Sequence, residues 1–140
     1  MRLLVPMDDS EHANLALEYA LDNYPEADIT VLHVVGAPSM MMGEAVGLVF
    51  ENDISDAAAK RAEPVFERAN KIASERDQDI NTTVGIGYPI RNILDRVEKY
   101  DTIVLGAHGE DWSRVTRRFL VGNVAETVSR RASIPVILVR

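Results

Sequence analysis

Two glycine-bearing corners carry the residue types suited to holding a phosphate: Gly106-Ala107-His108-Gly109 and, twelve residues further on, Gly122-Asn123-Val124-Ala125-Glu126. The apolar run Thr102-Ile103-Val104-Leu105 leads into the first corner, and Asn123 followed three residues later by Glu126 is an N-cap signature that opens a helix. Glycine lets the main chain come close to a polyphosphate, and the unpaired N–H groups of a helix's first turn favour an anion. The glycines alone fit tight turns equally well. Arg114, Arg117 and Arg118 sit between the corners. Such a cluster suits a phosphate neighbour, a solvated loop or an interface.

The remaining chemistry-bearing residues are sparse. Asp8, Asp9 and His12 have the spacing of a partial metal site, which lacks a further ligand cluster. His33 lies mid-strand between apolar neighbours and reads as a hydrogen-bonded interior residue, while His108 reads as structural or phosphate-adjacent. No Ser/His/Asp set has a usable spacing and no general base sits beside a nucleophile, so robust enzymatic turnover is not expected. The absence of cysteine excludes disulfides, thiolate metal sites and thiol catalysis.

Five β-branched and apolar runs read as strands: Arg2-Pro6, Asp28-Val35, Ile80-Ile86, Thr102-Ala107 and Ile134-Val139. Between them lie helical patterns. After Ser10, a suitable N-cap, Ala13, Ala16, Leu17, Ala20, Leu21 and Tyr24 form one stripe that ends before Pro25. A second pattern over 53–76 places Ile54, Ala58, Ala62, Val65, Ala69 and Ile72 on one face, and Pro64 predicts a kink or two abutting helices. Pro89 suits the first turn of a short helix using Ile90, Ile93, Leu94 and Val97, and a last helix runs from Asn123 to about Arg131. The connection from Gly36 to Asn52 is unusually apolar, with Met40-Met41-Met42 and Val46, Leu48, Val49 and Phe50. It suits a cover over a ligand, a subunit contact or a buried extension of the second helix.

Strands alternating with helices imply right-handed βαβ crossovers and an α/β fold, a doubly wound five-stranded parallel sheet with helices on both faces. Ligands bind such sheets beyond the carboxyl ends of the strands, where the strand order reverses. The loops after the first and fourth strands, Met7-Asp8-Asp9-Ser10 and His108 onward, are therefore the expected functional loops.

The 140 residues fit one domain spanning 1–140, and chains of this size bury roughly 70% of their unfolded surface. A net charge of -7 argues against a nucleic-acid partner, which would demand a basic face. Apolar stretches fall short of the ~20 residues of a membrane span, and the first residues read as a strand rather than a signal sequence. A soluble, cytoplasmic protein without a membrane partner is expected. Three lysines and twelve arginines beside 22 acids would also suit a high-salt cytoplasm.

Four signals in order resemble the universal stress protein family: Pro6-Met7-Asp8-Asp9-Ser10-Glu11 after the first strand, Leu32-His33-Val34-Val35 in the second, Gly87-Tyr88-Pro89, and the glycine corners. The closing Ile134-Pro135-Val136-Ile137-Leu138-Val139-Arg140 matches as well, so the resemblance covers essentially the whole chain. It implies the strand order 3-2-1-4-5, frequent dimers, and a division into ATP-binding and non-binding branches. Binders carry Gly, two residues, Gly, nine residues, Gly, then Ser or Thr. Gly106, Gly109 and Gly122 match the glycines, but twelve residues replace nine and Asn123 replaces the hydroxyl residue. The insertion around Glu110-Asp111-Trp112 places two carboxylates near the phosphates, which a magnesium ion would offset.

Carried over by position, the resemblance implies that Pro6, Met7 and Asp8 border the nucleoside, with Asp8 accepting from ribose hydroxyls, and that Val34 offers its backbone to adenine. Gly106, Ala107, His108, Gly109, Gly122, Asn123, Val124 and Ala125 would line the phosphates. The implied function is binding of an adenine nucleotide, ATP with magnesium, in stress response or signalling through nucleotide-dependent dimer or partner contacts. The alternative is a non-binding, homodimeric interaction module of the same family. An adenylating enzyme of the related α/β superfamily fits less well, because its glycine-rich or histidine-containing signature would stand where Asp8-Asp9-Ser10-Glu11-His12 does. The last strand, an apolar sheet edge, is the expected homodimer contact.

Overall fold

The computed structural model describes residues 1–36, 51–107 and 124–140. Five strands, β1 (Arg2–Pro6), β2 (Asp28–Val35), β3 (Asn81–Ile86), β4 (Thr102–Gly106) and β5 (Val136–Val139), form one sheet in the order β3-β2-β1-β4-β5. Every pairing is parallel. The helices are α1 (Glu11–Asn23), α2 (Glu51–Ser74), α3 (Pro89–Leu94) and α4 over 124–131, with a 3-10 turn at Val97–Lys99.

Alternation along the strands sorts the core into two layers. Leu3, Val5, Ile29, Val31 and Val104 pack with Ala13, Ala16, Leu17 and Ala20 of α1 and Val65 and Ala69 of α2. Leu4, Leu32, Ile103 and Leu105 pack on the other face with Ile93 of α3 and Val128 of α4. Both faces are covered, as the continuous apolar runs require.

Local signals set most boundaries. Ser10 caps α1 by accepting from the Ala13 N–H at 3.2 Å. Helix α2 continues through Pro64 in place of two abutting helices. Pro64 is exposed, so water can satisfy the Lys60 carbonyl that loses its i+4 donor. The corner before α3 needs Gly87 at φ 113°, and Asn92 secures it by donating from Nδ2 to the Tyr88 and Ile86 carbonyls. Strand β5 begins two residues later than the apolar run, because Pro135 has no N–H for the ladder; its carbonyl still accepts from the Ile103 N–H. The methionine-rich 37–50, the arginine cluster at 114–118 and the acidic insertion at 110–112 lie outside the described residues.

Two interactions fasten this frame. Arg76 at the end of α2 reaches α1, donating from Nε to Asp22 Oδ1 at 2.7 Å with Glu18 3.7 Å away. That hydrogen bond holds the Asp22 carboxyl below the usual carboxylate range. At the same, amino-terminal end of the strands, the Arg2 main-chain N–H donates to Asp101 at 2.7 Å and lowers its carboxyl likewise. Between the layers, α1 lies directly on the end of β4. A β-carbon added to Gly106 would stand 2.2 Å from the His12 carbonyl oxygen and 2.9 Å from the Ala13 nitrogen.

Gly106→Ala should accordingly cost about 3 kcal/mol, read as a lower urea midpoint at unchanged slope, since main chain rather than a movable side chain blocks the methyl. Because the Asp22 pKa is lowered on folding, its pairing stabilises the fold above the ordinary carboxylate range and is lost as pH falls through the lower, folded value. NMR titration of Arg76→Ala should return Asp22 to the ordinary range; an unchanged titration would deny Arg76 that role.

Candidate functional site

Strand β1 lies between β2 and β4, and the chain departs from it in opposite directions: β2 and β3 build one side of the sheet, β4 and β5 the other. At the carboxyl ends of the central strands this reversal leaves a cleft. Its walls come from Pro6, Met7 and Asp8 after β1, His33 and Val34 of β2, Gly106 of β4, Pro89 of α3, and Val124 and Ala125 of α4. The cleft holds about 680 Å³, counting the space open to solvent.

The loop from β1 to α1 is held from several directions. The Met7 N–H donates to the Leu32 carbonyl at 2.8 Å, extending the β1–β2 ladder past its last pair, Pro6 with Leu32. His33 Nδ1 donates to the Met7 carbonyl at 2.7 Å, which makes Nε2 the bare nitrogen of the neutral ring. Asp8 Oδ1 accepts from the Ser10 N–H at 2.9 Å in an Asx turn, leaving Oδ2 without a partner among the described residues. Arg68 of α2 donates from Nη2 to the Asp8 carbonyl at 3.2 Å. The loop is fixed by its backbone while one carboxylate oxygen stays available.

Val34 follows from strand parity. The Leu32 carbonyl faces β1, and main-chain groups two residues apart along a strand face the same side. Val34 therefore directs its N–H and C=O toward the β1 side, beyond the point where β1 has turned away. One donor and one acceptor in an apolar wall can be met by a planar heterocycle that offers the complementary pair. Across the cleft stand Val124 and Ala125, at the amino-terminal end of the described part of α4, next to the N-cap that the sequence expects at Asn123.

Of the residues expected from the sequence, Pro6, Met7, Asp8, Val34, Gly106, Val124 and Ala125 line this cleft. Ala107 does not; it is buried and its N–H donates to the Val139 carbonyl at 2.8 Å. His108, Gly109, Gly122 and Asn123 lie outside the described residues. His33 joins the wall as well as being hydrogen-bonded, and Pro89 enters it because Gly87 and Asn92 turn α3 inward. The Gly87-Tyr88-Pro89 motif was the signal for Pro89. Among the described residues, no group of three His, Asp or Glu side chains could hold a metal ion, and Asp8, Asp9 and His12 form none. No helix is long and apolar enough to cross a membrane among those residues.

Comparison with known proteins fits this architecture. The chain is similar to the universal stress protein YxiE of Bacillus subtilis, with 26% identity over 99% of this chain and 98% of the relative. Its fold is similar to that of the universal stress protein UspA from Lactobacillus plantarum, at TM-score 0.74 and 27% identity over 100% of this chain and 97% of the other. It also resembles the universal stress protein from Archaeoglobus fulgidus solved in complex with dAMP, at TM-score 0.67 and 21% identity over 100% and 98% of the two chains. The family model for the universal stress proteins matches residues 1–140, and with its 3-2-1-4-5 sheet the chain belongs to the universal stress protein family.

Proposed function

We propose that this chain binds an adenine nucleotide, ATP with magnesium, in the cleft at the ends of β1, β2 and β4. It acts as a nucleotide-responsive protein in stress response or signalling rather than as an enzyme with robust turnover. The observation that carries the reading is the convergence of three groups on one cleft: Val34, whose main chain faces the side that β1 has left, the Asp8 carboxylate oxygen without a partner among the described residues, and Val124 and Ala125, which an N-cap at Asn123 would put in the first turn of α4. Adenine suits Val34, because its N1 and exocyclic amine present an acceptor beside a donor. Ribose hydroxyls suit a carboxylate that can only accept, and phosphate suits helix N–H groups. The dAMP complex of the Archaeoglobus fulgidus relative supports an adenine nucleotide.

In this reading Gly109, Gly122 and Asn123, which lie outside the described residues, contribute to the phosphate contacts, with Asn123 as the cap residue in place of a hydroxyl residue. The response passes to a second copy through β5. Its Val136-Ile137-Leu138-Val139 forms a sheet edge with Leu138 43% exposed, and pairing with its own copy in a two-fold dimer would satisfy the free main-chain groups.

Equilibrium dialysis with labelled ATP and magnesium should show retention at tens of micromolar, and Asp8→Asn should weaken it by about tenfold through loss of a charged acceptor. No retention by the unaltered protein would leave the non-binding interaction module as the better description. Phosphate release should stay far below ~10 per second, and sustained turnover near that rate would make the protein an enzyme. For the edge, Leu138→Glu should shift the sedimenting species from dimer to folded monomer; an unchanged dimer would place the interface elsewhere.

A further inference from the structure

Arg68 contacts the loop of the cleft without lining it, and its Nε is buried without a hydrogen-bond partner among the described residues. It projects from the face of α2 otherwise built of Ala58, Ala62, Val65, Ala69 and Ile72, all buried against the sheet. The side chain is half-buried, its Nε is buried with no hydrogen-bond partner, and no carboxylate pairs with it among the described residues. Among the described residues its hydrogen bond runs from Nη2 to the Asp8 carbonyl at 3.2 Å. A half-buried guanidinium with a buried, unbonded Nε and no counter-charge among those residues is unfavourable, and an apolar side chain would fill the same space at lower cost.

We infer that Arg68 is a positioning residue: it fixes the peptide that follows Asp8, and so holds the Asp8 carboxylate facing the ribose of the bound nucleotide. The inference rests on the nucleotide reading above. The hydrogen bonds from β2 to this loop stop at Met7 and do not reach the Asp8 carbonyl. Met7 is fixed on both sides, its N–H by the Leu32 carbonyl and its own carbonyl by His33 Nδ1. Beyond Asp8, Ser10 is committed to the α1 cap. Between these anchors, rotation of the Asp8–Asp9 peptide would swing the carboxylate away from the cleft unless its carbonyl were held. Arg68 holds it through the backbone, and thereby spares the carboxylate, whose Oδ1 takes the Ser10 N–H and whose Oδ2 is left for ligand. A guanidinium bonded directly to the carboxylate would have consumed that oxygen.

The test is the ratio of affinities for ATP and 2′,3′-dideoxy-ATP, which isolates the hydroxyl contact from the base and phosphates. The unaltered protein should favour ATP by about tenfold, the worth of hydrogen bonds to a charged acceptor. Arg68→Met and Arg68→Gln, neither of which can reach the Asp8 carbonyl as a cation, should bring the ratio close to one while leaving dideoxy-ATP affinity nearly unchanged. Arg68→Lys, with one donor and the charge retained, should keep most of the preference. In an Asp8→Asn background the ratio should already be near one, and Arg68→Met should not change it. If either Arg68→Met or Arg68→Gln binds both nucleotides more weakly but keeps the wild-type ratio, Arg68 is a packing residue and the inference fails. Absence of nucleotide binding by the unaltered protein would instead overturn the nucleotide reading, and this inference with it.

Discussion

The first turn of α1 lies so close to the end of β4 that position 106 has no room for a β-carbon. The cleft depends on that contact. It brings the loop carrying Asp8 beside the strand that leads toward α4, so that two segments nearly a hundred residues apart in sequence form adjoining walls. A glycine expected at first to admit a ligand's phosphate thus admits a helix as well. The α-carbon's free direction is filled by the His12 and Ala13 main chain, while Gly106 itself still lines the cleft. Packing alone imposes glycine here, and a side chain would disturb the wall of the cleft as well as the seat of α1.

The frame was legible because its signals are local and repeated. β1, β4 and β5 show their apolar residues in continuous runs, α1 and α2 repeat theirs at three- and four-residue steps, and Ser10, Pro25 and Pro89 mark ends through their own backbone chemistry. Met7 and Asp8 follow from the rule that ligands bind where central strands stop, whereas Pro6 and Val34 come from the family resemblance. Other features depend on partners that no local pattern names. His33 finds the Met7 carbonyl 26 residues away, and Arg68 finds the Asp8 carbonyl 60 residues away. Ala107 belongs to the same corner as Gly106 by sequence, yet the Val139 carbonyl takes its N–H and the edge strand removes it from the cleft. Periodicity marks which face of α2 is buried, but not that one member of that helix carries to the loop a cation unpaired among the described residues.

An acidic chain with a net charge of -7 is a poor general receptor for anions. The long-range part of that repulsion is screened over about 8 Å at physiological ionic strength, so groups inside the cleft decide whether a phosphate is held. In the proposed reading the first turn of α4 supplies donors without a formal charge, and the packing of Val128 with Leu4, Leu32, Ile103 and Leu105 seats the helix on the sheet. Anion binding of that kind would rest on backbone geometry more than on side-chain charge, and so would be compatible with so acidic a composition.

In the proposed reading the ligand lies across the sheet, with the base at β2, the ribose at β1, and the phosphates at β4 and α4. Neighbouring strands are spaced about 4.8 Å apart, so this path spans about 10 Å, the scale of a nucleoside and its first phosphate. The strand order 2-1-4 therefore sets the order in which the parts of a nucleotide are met, and it separates the Asp8 carboxylate from the helix N-terminus. That separation is necessary. A carboxylate beside the ribose accepts hydroxyl protons, whereas the same group beside phosphate would repel it.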